Sequence, residues 1–157
     1  MIKNYEKYFL TYELFFSIVI IAILYYLTFY LKLNLIIMSL LDQNRSVLYG
    51  TIASISGALL GFVITGISIL FAMKESPALL LLKTSSHYKT VFIVFLSACR
   101  YLAINTVVSL FGLLIDKDSS PHIWFFFIVL WVSLISVFRL MRCIWVLEQM
   151  IKLSLSA

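Results

Sequence analysis

Residues 47–73, VLYGTIASISGALLGFVITGISILFAM, decide the fold of this chain, because they form a long apolar run without a charged side chain. As a helix this run is about 40 Å long at 1.5 Å per residue. The hydrocarbon core of a bilayer is only about 30 Å thick, so a helix of this length crosses it with some tilt. The stretch therefore predicts a transmembrane helix.

The small residues of this run share one face of the predicted helix. At about 100° per residue they form a stripe roughly 120° wide. The stripe consists of Gly50, Ala53, Ser54, Gly57, Gly61, Thr65, Ser68 and Ala72. Helices in lipid associate through close backbone contact rather than through a hydrophobic force, and GxxxG steps such as Gly57–Gly61 permit that contact. We therefore expect this face to pack against another span or another subunit, and we expect added bulk on the opposite face, at Ile52 or Val63, to be tolerated.

The composition indicates an integral membrane protein. Of the 157 residues 63% are hydrophobic and only 12% are charged, whereas soluble domains are about a quarter charged. We predict an all-α fold, a single domain over residues 1–157, with short loops and an amphipathic C-terminal extension after the last span. The expected spans are residues 9–31, 47–73, 90–115 and 123–145. Residues 33–41 are too far along the chain to lie within the first span, so they form either a protruding helical extension or a short interfacial segment.

The basic residues predict an orientation. Four spans put both chain ends on one side, and that side carries Lys3, Lys7, Lys74, Lys83, Lys89, Arg139, Arg142 and Lys152. The other side carries only Lys32, Arg45 and Lys117. The positive-inside rule then places both termini in the cytoplasm of a bacterial cell, with the chain in the inner membrane. Lys74, Lys83, Lys89, Arg139 and Arg142 would form a basic cytoplasmic face. The net charge of +5 is spread over ends and loops, which does not indicate nucleic-acid binding.

Two charged residues are expected inside the membrane, Glu13 in the first span and Arg100 in the third. Arg100 lies some 15 Å along its span by helical rise, where an unpaired charge is costly. One interpretation is a water-filled cavity, an anion site or a gate. The other, which we favour, is structural: an ion pair, with Glu13 as the candidate partner, or a side chain that reaches for the interface.

The third span carries small or polar residues on two faces. Ala98, Asn105, Ser109 and Gly112 share one face, and Arg100 lies on the other, about 140° from Asn105. Two such faces predict packing on two sides, one of them against a neighbouring subunit. Asn105 and Ser109 are candidates for interhelical hydrogen bonds, together with Thr65 and Ser68 of the second span.

The sequence contains no pattern typical of catalysis or of a cofactor site. There is no HExxH, GxSxG or phosphate-loop motif, and His87 and His122 fall in loops on opposite sides of the membrane. We therefore expect no catalytic residues, no metal and no cofactor.

Two resemblances bear on function. A glutamate in the first of four spans, here Glu13, resembles the layout of small multidrug-resistance exporters, where such a residue binds protons and cationic drugs. The four-span layout with the Gly/Ser-rich stretch LYGTIASISGALLGFVITG resembles small bacterial inner-membrane proteins, such as the membrane subunit of Kiwa-type anti-phage defence systems. That resemblance implies a homo-oligomeric sensor that anchors a soluble cytoplasmic partner. The alternative is an oligomeric pore or a small transporter, with Arg100 and Asn105 lining a path.

Overall fold

The computed structural model describes residues 2–72, 88–116 and 121–156, and in this part of the chain every regular element is a helix. The helices are α1 (Ile2–Tyr30), α2 (Asn34–Leu41), α3 (Arg45–Ala72), α4 (Tyr88–Ile115) and α5 (Ile123–Ser156). All but α2 are long and apolar enough to cross a membrane. The predicted all-α fold with four spans is confirmed. Lys74 and Lys83 lie outside the described residues, and Lys89 lies in the first turn of α4.

The first and last helices extend beyond their spans. The first candidate span, Leu10–Tyr30, agrees with the predicted residues 9–31, and α1 begins before it, at Ile2. α5 continues without a break to Ser156, so the predicted C-terminal extension is part of the same helix as the fourth span.

A tight turn separates α1 from α2. Lys32 adopts a positive φ of 52°, and the backbone N–H of Leu33 donates to the carbonyl oxygen of Thr28 at 2.9 Å. A residue with left-handed backbone angles, followed by a hydrogen bond from an N–H to the carbonyl five residues earlier, is the Schellman arrangement that ends helices. Residues 33–41 are therefore not a continuation of α1. Leu35 and Leu40 of α2 are exposed, which fits the interfacial alternative.

The four long helices pack side by side in a row, in the spatial order α3, α4, α5 and α1. α3 packs on α4, α4 packs on α5, and α5 packs on α1. Each neighbouring pair is antiparallel, so the start of α1 and the end of α5 lie at the same end of the row, which we call the terminal end. The opposite end, where α3 and α5 begin, is the loop end. Among the described residues no comparable contact joins α1 to α3, so the helices do not close into a ring.

The apolar core lies mainly between α3, α4 and α5. Its larger cluster consists of Val63, Val91, Val94, Phe95, Ala98, Leu102, Cys143 and Val146. A smaller cluster near the loop end contains Tyr49, Phe125 and Val129. Val63, expected on a tolerant face, is thus in the α3–α4 seam. The expectation about that face was wrong, because α4 packs on the medium-sized side chains of α3 rather than on its small-residue stripe.

Most of the small-residue stripe lies open. A Cβ atom added at Gly50, Gly57 or Gly61 would meet nothing within 4 Å. The hydroxyls of Thr65 and Ser68 donate to carbonyl oxygens of their own helix. Within the described chain, this face of α3 is therefore not an internal seam.

Candidate functional sites in the spanning helices

Two exposed tryptophans on α5 provide a depth scale. Trp124 lies near the loop end and Trp145 lies towards the terminal end, and their side chains are 50% and 55% exposed. At 1.5 Å per residue they are about 31 Å apart along the helix. This separation matches the roughly 30 Å hydrocarbon core, at whose two interfaces tryptophan is enriched. We use the two residues as the levels of the two interfaces.

A buried ion pair closes the loop end. Nη1 of Arg45 lies 2.8 and 2.7 Å from the two carboxylate oxygens of Asp116. The hydroxyl of Tyr49 donates to Oδ2 of Asp116 at 2.5 Å, and the backbone N–H of His122 donates to Oδ1 at 2.7 Å. One carboxylate thus ties the start of α3 to the end of α4 and the start of α5.

This cluster was missed from the sequence, although a signal was available. Arg45 immediately precedes the second span and Asp116 immediately follows the third, so both fall at the same membrane face. Antiparallel neighbouring spans bring two such positions together. The sequence does not say that these spans are neighbours, and an interaction between the two residues was therefore not predicted.

A second ion cluster lies towards the terminal end. Nη1 of Arg139 donates to Oε2 of Glu13 at 2.6 Å, and Nη2 donates to the carbonyl oxygen of Leu10 at 2.6 Å. Arg142 forms an ion pair with the other carboxylate oxygen of Glu13. The guanidinium of Arg139 also lies 5.3 Å from the centre of the Tyr101 ring. The cluster fastens α1 to α5, and Arg139 is only 2% exposed.

The predicted partner of Glu13 was therefore wrong. α1 packs on α5 and not on the Arg100 face of α4, so the carboxylate meets Arg139 and Arg142 instead of Arg100. The sequence predicts both arginines on a basic cytoplasmic face, whereas Arg139 is buried and both form ion pairs with Glu13. Glu13 is also unlike the exporter glutamate, because two guanidiniums occupy its carboxylate.

Hydrogen-bonded polar side chains, which we call the polar chain, connect α3, α4 and α5 near mid-membrane. Nδ2 of Asn105 donates to Oγ of Ser56 at 2.7 Å, and Oγ of Ser133 donates to Oδ1 of Asn105 at 3.1 Å. Ser133 lies about 13 Å from the level of Trp124 and about 18 Å from that of Trp145. The interhelical role predicted for Asn105 matches this geometry, with partners on both neighbouring helices.

The Asn105 face of α4 is packed as expected. Ala98, Asn105, Ser109 and Gly112 are all buried. The hydroxyl of Ser109 has no hydrogen-bond partner among the described residues, so the interhelical bond predicted for it is not formed there. The ring of Tyr49 lies directly over Gly112.

A cleft lies beside the polar chain. It has a volume of about 200 Å³ and runs between α3 and α5, with α4 as its floor. The residues that line it are Ile52, Ile55, Ser56, Leu59, Leu102, Asn105, Leu130, Ser133, Ser136, Val137 and Leu140. The walls are apolar, and the polar groups of Ser56, Asn105 and Ser133 bond mainly to one another. The cleft offers an apolar groove with a few polar atoms at mid-membrane depth.

The Arg100 face of α4 is open. Arg100 is exposed, and within the described residues no carboxylate pairs with it. The large apolar residues on the same face are Ile93, Leu96, Ile104, Val107, Phe111 and Leu114, each about half exposed or more. The second predicted packing face thus exists as a surface, and no described helix covers it.

No protein-family model, curated protein or solved structure matches this chain. Neither the Kiwa-type nor the exporter resemblance gains support from these comparisons.

Proposed function

We propose that this chain is a non-enzymatic, multi-pass protein of the bacterial inner membrane that self-associates and serves as a sensor or anchor for a soluble cytoplasmic partner. The observation that carries the proposal is the open small-residue face of α3. Small residues that are not buried recur over about five turns of α3, from Gly50 to Ser68, and Gly57 and Gly61 have free space beside them.

The open face favours a protein neighbour over lipid. In a bilayer, helix association depends on van der Waals contact, which grows when backbones approach closely. Glycine, serine and threonine permit that approach, and nothing in the described chain uses it. A second copy of the same helix offers the same face, which is the self-complementary contact of a two-fold dimer.

The partner would dock at the terminal end. The distribution of basic residues predicts that this end is cytoplasmic. Here α5 projects about 16 Å beyond the level of Trp145. Its last turns carry an exposed Glu148–Lys152 ion pair. Since Glu13 engages Arg139 and Arg142, the basic docking residues reduce to Lys74, Lys83 and Lys89. A role in anti-phage defence is part of the proposal through the Kiwa-type resemblance alone.

Adding bulk to the α3 face tests self-association. Gly61→Leu should lower the molecular mass of the protein in detergent to that of the monomer and abolish crosslinking in proteoliposomes. The helical content and melting temperature of the monomer should remain, because the side chain enters open space. Ala22→Leu, a similar change at an exposed position of α1, is the control. An unchanged oligomer in Gly61→Leu would overturn the role of this face.

The cleft favours a second candidate, an oligomeric pore or a small transporter. Its polar floor at Asn105 lies near mid-membrane, where a conducting path would need polar groups. Ion flux into liposomes that contain the purified protein tests it, with Asn105→Leu as the variant. Ion flux that Asn105→Leu abolishes would support a pore or transporter. Liposomes that stay impermeable with the wild-type protein would favour the sensor or anchor instead.

A further inference from the structure

Arg100 lies well inside the hydrocarbon core. Oγ of Ser136 donates to the carbonyl oxygen of Tyr101 at 3.1 Å, which fixes the level of α4 against α5. Along α5, Ser136 lies about 13 Å from the level of Trp145, and Arg100 is one residue nearer to that level. The Cα atom of Arg100 is thus about 12 Å inside the interface of the terminal end, and its side chain is exposed.

Among the described side chains, no carboxylate pairs with this charge. In the described residues the candidate spans contain Glu13 and Glu148, and Asp116 directly follows one of them. Glu13 pairs with Arg139 and Arg142, Glu148 with Lys152, and Asp116 with Arg45. A second copy of the chain would contribute the same carboxylates, each already in an ion pair, and a second Arg100. Among the described carboxylates of the spanning helices, none is therefore left for Arg100 in the same copy or in a second one.

The surface around Arg100 is apolar on both sides of the charge. Leu96 lies about 6 Å nearer to the interface than Arg100, and Ile104 lies about 6 Å further from it, near mid-membrane. Both side chains are about half exposed. Towards the interface, a flexible arginine side chain can extend its charged end while its stem stays in apolar surroundings. The planar guanidinium binds phosphate oxygens in a bidentate manner.

We propose that Arg100 and the outer face of α4 bind an anionic phospholipid of the leaflet at the terminal end. The headgroup phosphate pairs with the guanidinium, and an acyl chain lies along Leu96 and Ile104. A lipid with a net negative charge is selected, because a zwitterionic headgroup already carries its own cation. This site is on α4 and does not depend on self-association through α3.

Lipid selectivity in proteoliposomes tests the site. The protein is reconstituted in equal parts of phosphatidylglycerol and phosphatidylcholine, and spin-labelled forms of each lipid report the fraction held at the protein. The wild-type protein should prefer phosphatidylglycerol at least twofold. Arg100→Gln should bring this preference close to unity, and Arg100→Lys should keep part of it, because lysine retains the charge but not the bidentate geometry. Lys152→Gln, which removes a charge beyond the membrane, should match the wild type.

A photo-crosslinking residue at Ile104 provides a second measurement in a chain that retains Arg100. A crosslink to phosphatidylglycerol in preference to phosphatidylcholine supports the proposal even if Arg100→Gln does not fold. A crosslink to a second copy would overturn it and make this face a subunit interface. Anionic selectivity that persists in a folded Arg100→Gln variant would also overturn it, and would leave the carboxylate of another membrane protein as the partner of Arg100.

Discussion

The ring of Tyr49 lies against the backbone of Gly112, so that a Cβ atom at position 112 would be 2.9 Å from Cγ of the ring. The same tyrosine is completely buried, and its hydroxyl donates to Asp116, one turn after Gly112 and directly after the end of α4. The absence of a side chain at Gly112 therefore lets α3 approach α4 closely enough for the hydrogen bond that closes the loop end.

Gly112→Ala should destabilise the α3–α4 seam. The new methyl group would also meet Cε1 of Phe125 at 3.2 Å, so two aromatic rings have to move. Overpacking of this kind costs about 1–3 kcal/mol, which should appear as a lower melting temperature in detergent. Gly66→Ala, where the Cβ meets only Cε1 of Phe95 at an ordinary contact distance of 3.8 Å, is the matched control. Equal melting temperatures for the two variants would contradict the close approach.

Asp116→Asn should lower stability more than Tyr49→Phe. The first change leaves the buried Arg45 guanidinium without its counter-charge, and breaking a buried ion pair costs about 3–5 kcal/mol. The second removes one hydrogen bond and keeps the packed ring, a loss of about 1–3 kcal/mol. Thermal unfolding of both variants in the same detergent measures the difference. If Tyr49→Phe were as unstable as Asp116→Asn, the ion pair would not be the main interaction that stabilises the loop end.

Glu13 should couple to Arg139 and not to Arg100. Glu13→Gln strands the buried Arg139 guanidinium, so a second change, Arg139→Gln, should recover much of the lost stability. Glu13→Gln and Arg100→Gln should instead be additive within about 0.5 kcal/mol, as expected for residues without a shared partner. A double-mutant cycle on the melting temperatures gives both coupling energies. Coupling of Glu13 with Arg100 would mean that α1 packs on α4.

Val63→Phe should destabilise the chain, although Val63 lies opposite the small-residue stripe. Val63 is 7% exposed in the seam with α4, where overpacking costs about 1–3 kcal/mol. The neighbouring Ile64 is 50% exposed, so Ile64→Phe should unfold at the temperature of the parent. The opposite ranking of these two variants would show that the buried face of α3 has been misassigned.

The sequence alone determined the number of spans and their approximate bounds. Long apolar runs and the charged residues between them are local properties, and a bilayer leaves almost no alternative to helices for such segments. The sequence also determined one buried face of α4. Asn105, Ser109 and Gly112 recur at helical spacing among large apolar residues, so the small and polar face stands out whatever it packs against.

Only the tertiary structure decided which helices are neighbours and how each is rotated. In a soluble protein the polar side of a helix shows which face is outside. In a spanning helix the lipid-facing side is as apolar as the core, so the sequence of α3 did not show that Val63 is buried while Gly61 is open. The partners of the charged groups also depend on which helices are neighbours and how each helix is rotated. Glu13 meets Arg139 because α1 packs on α5, and Asp116 meets Arg45 because α3 packs on α4.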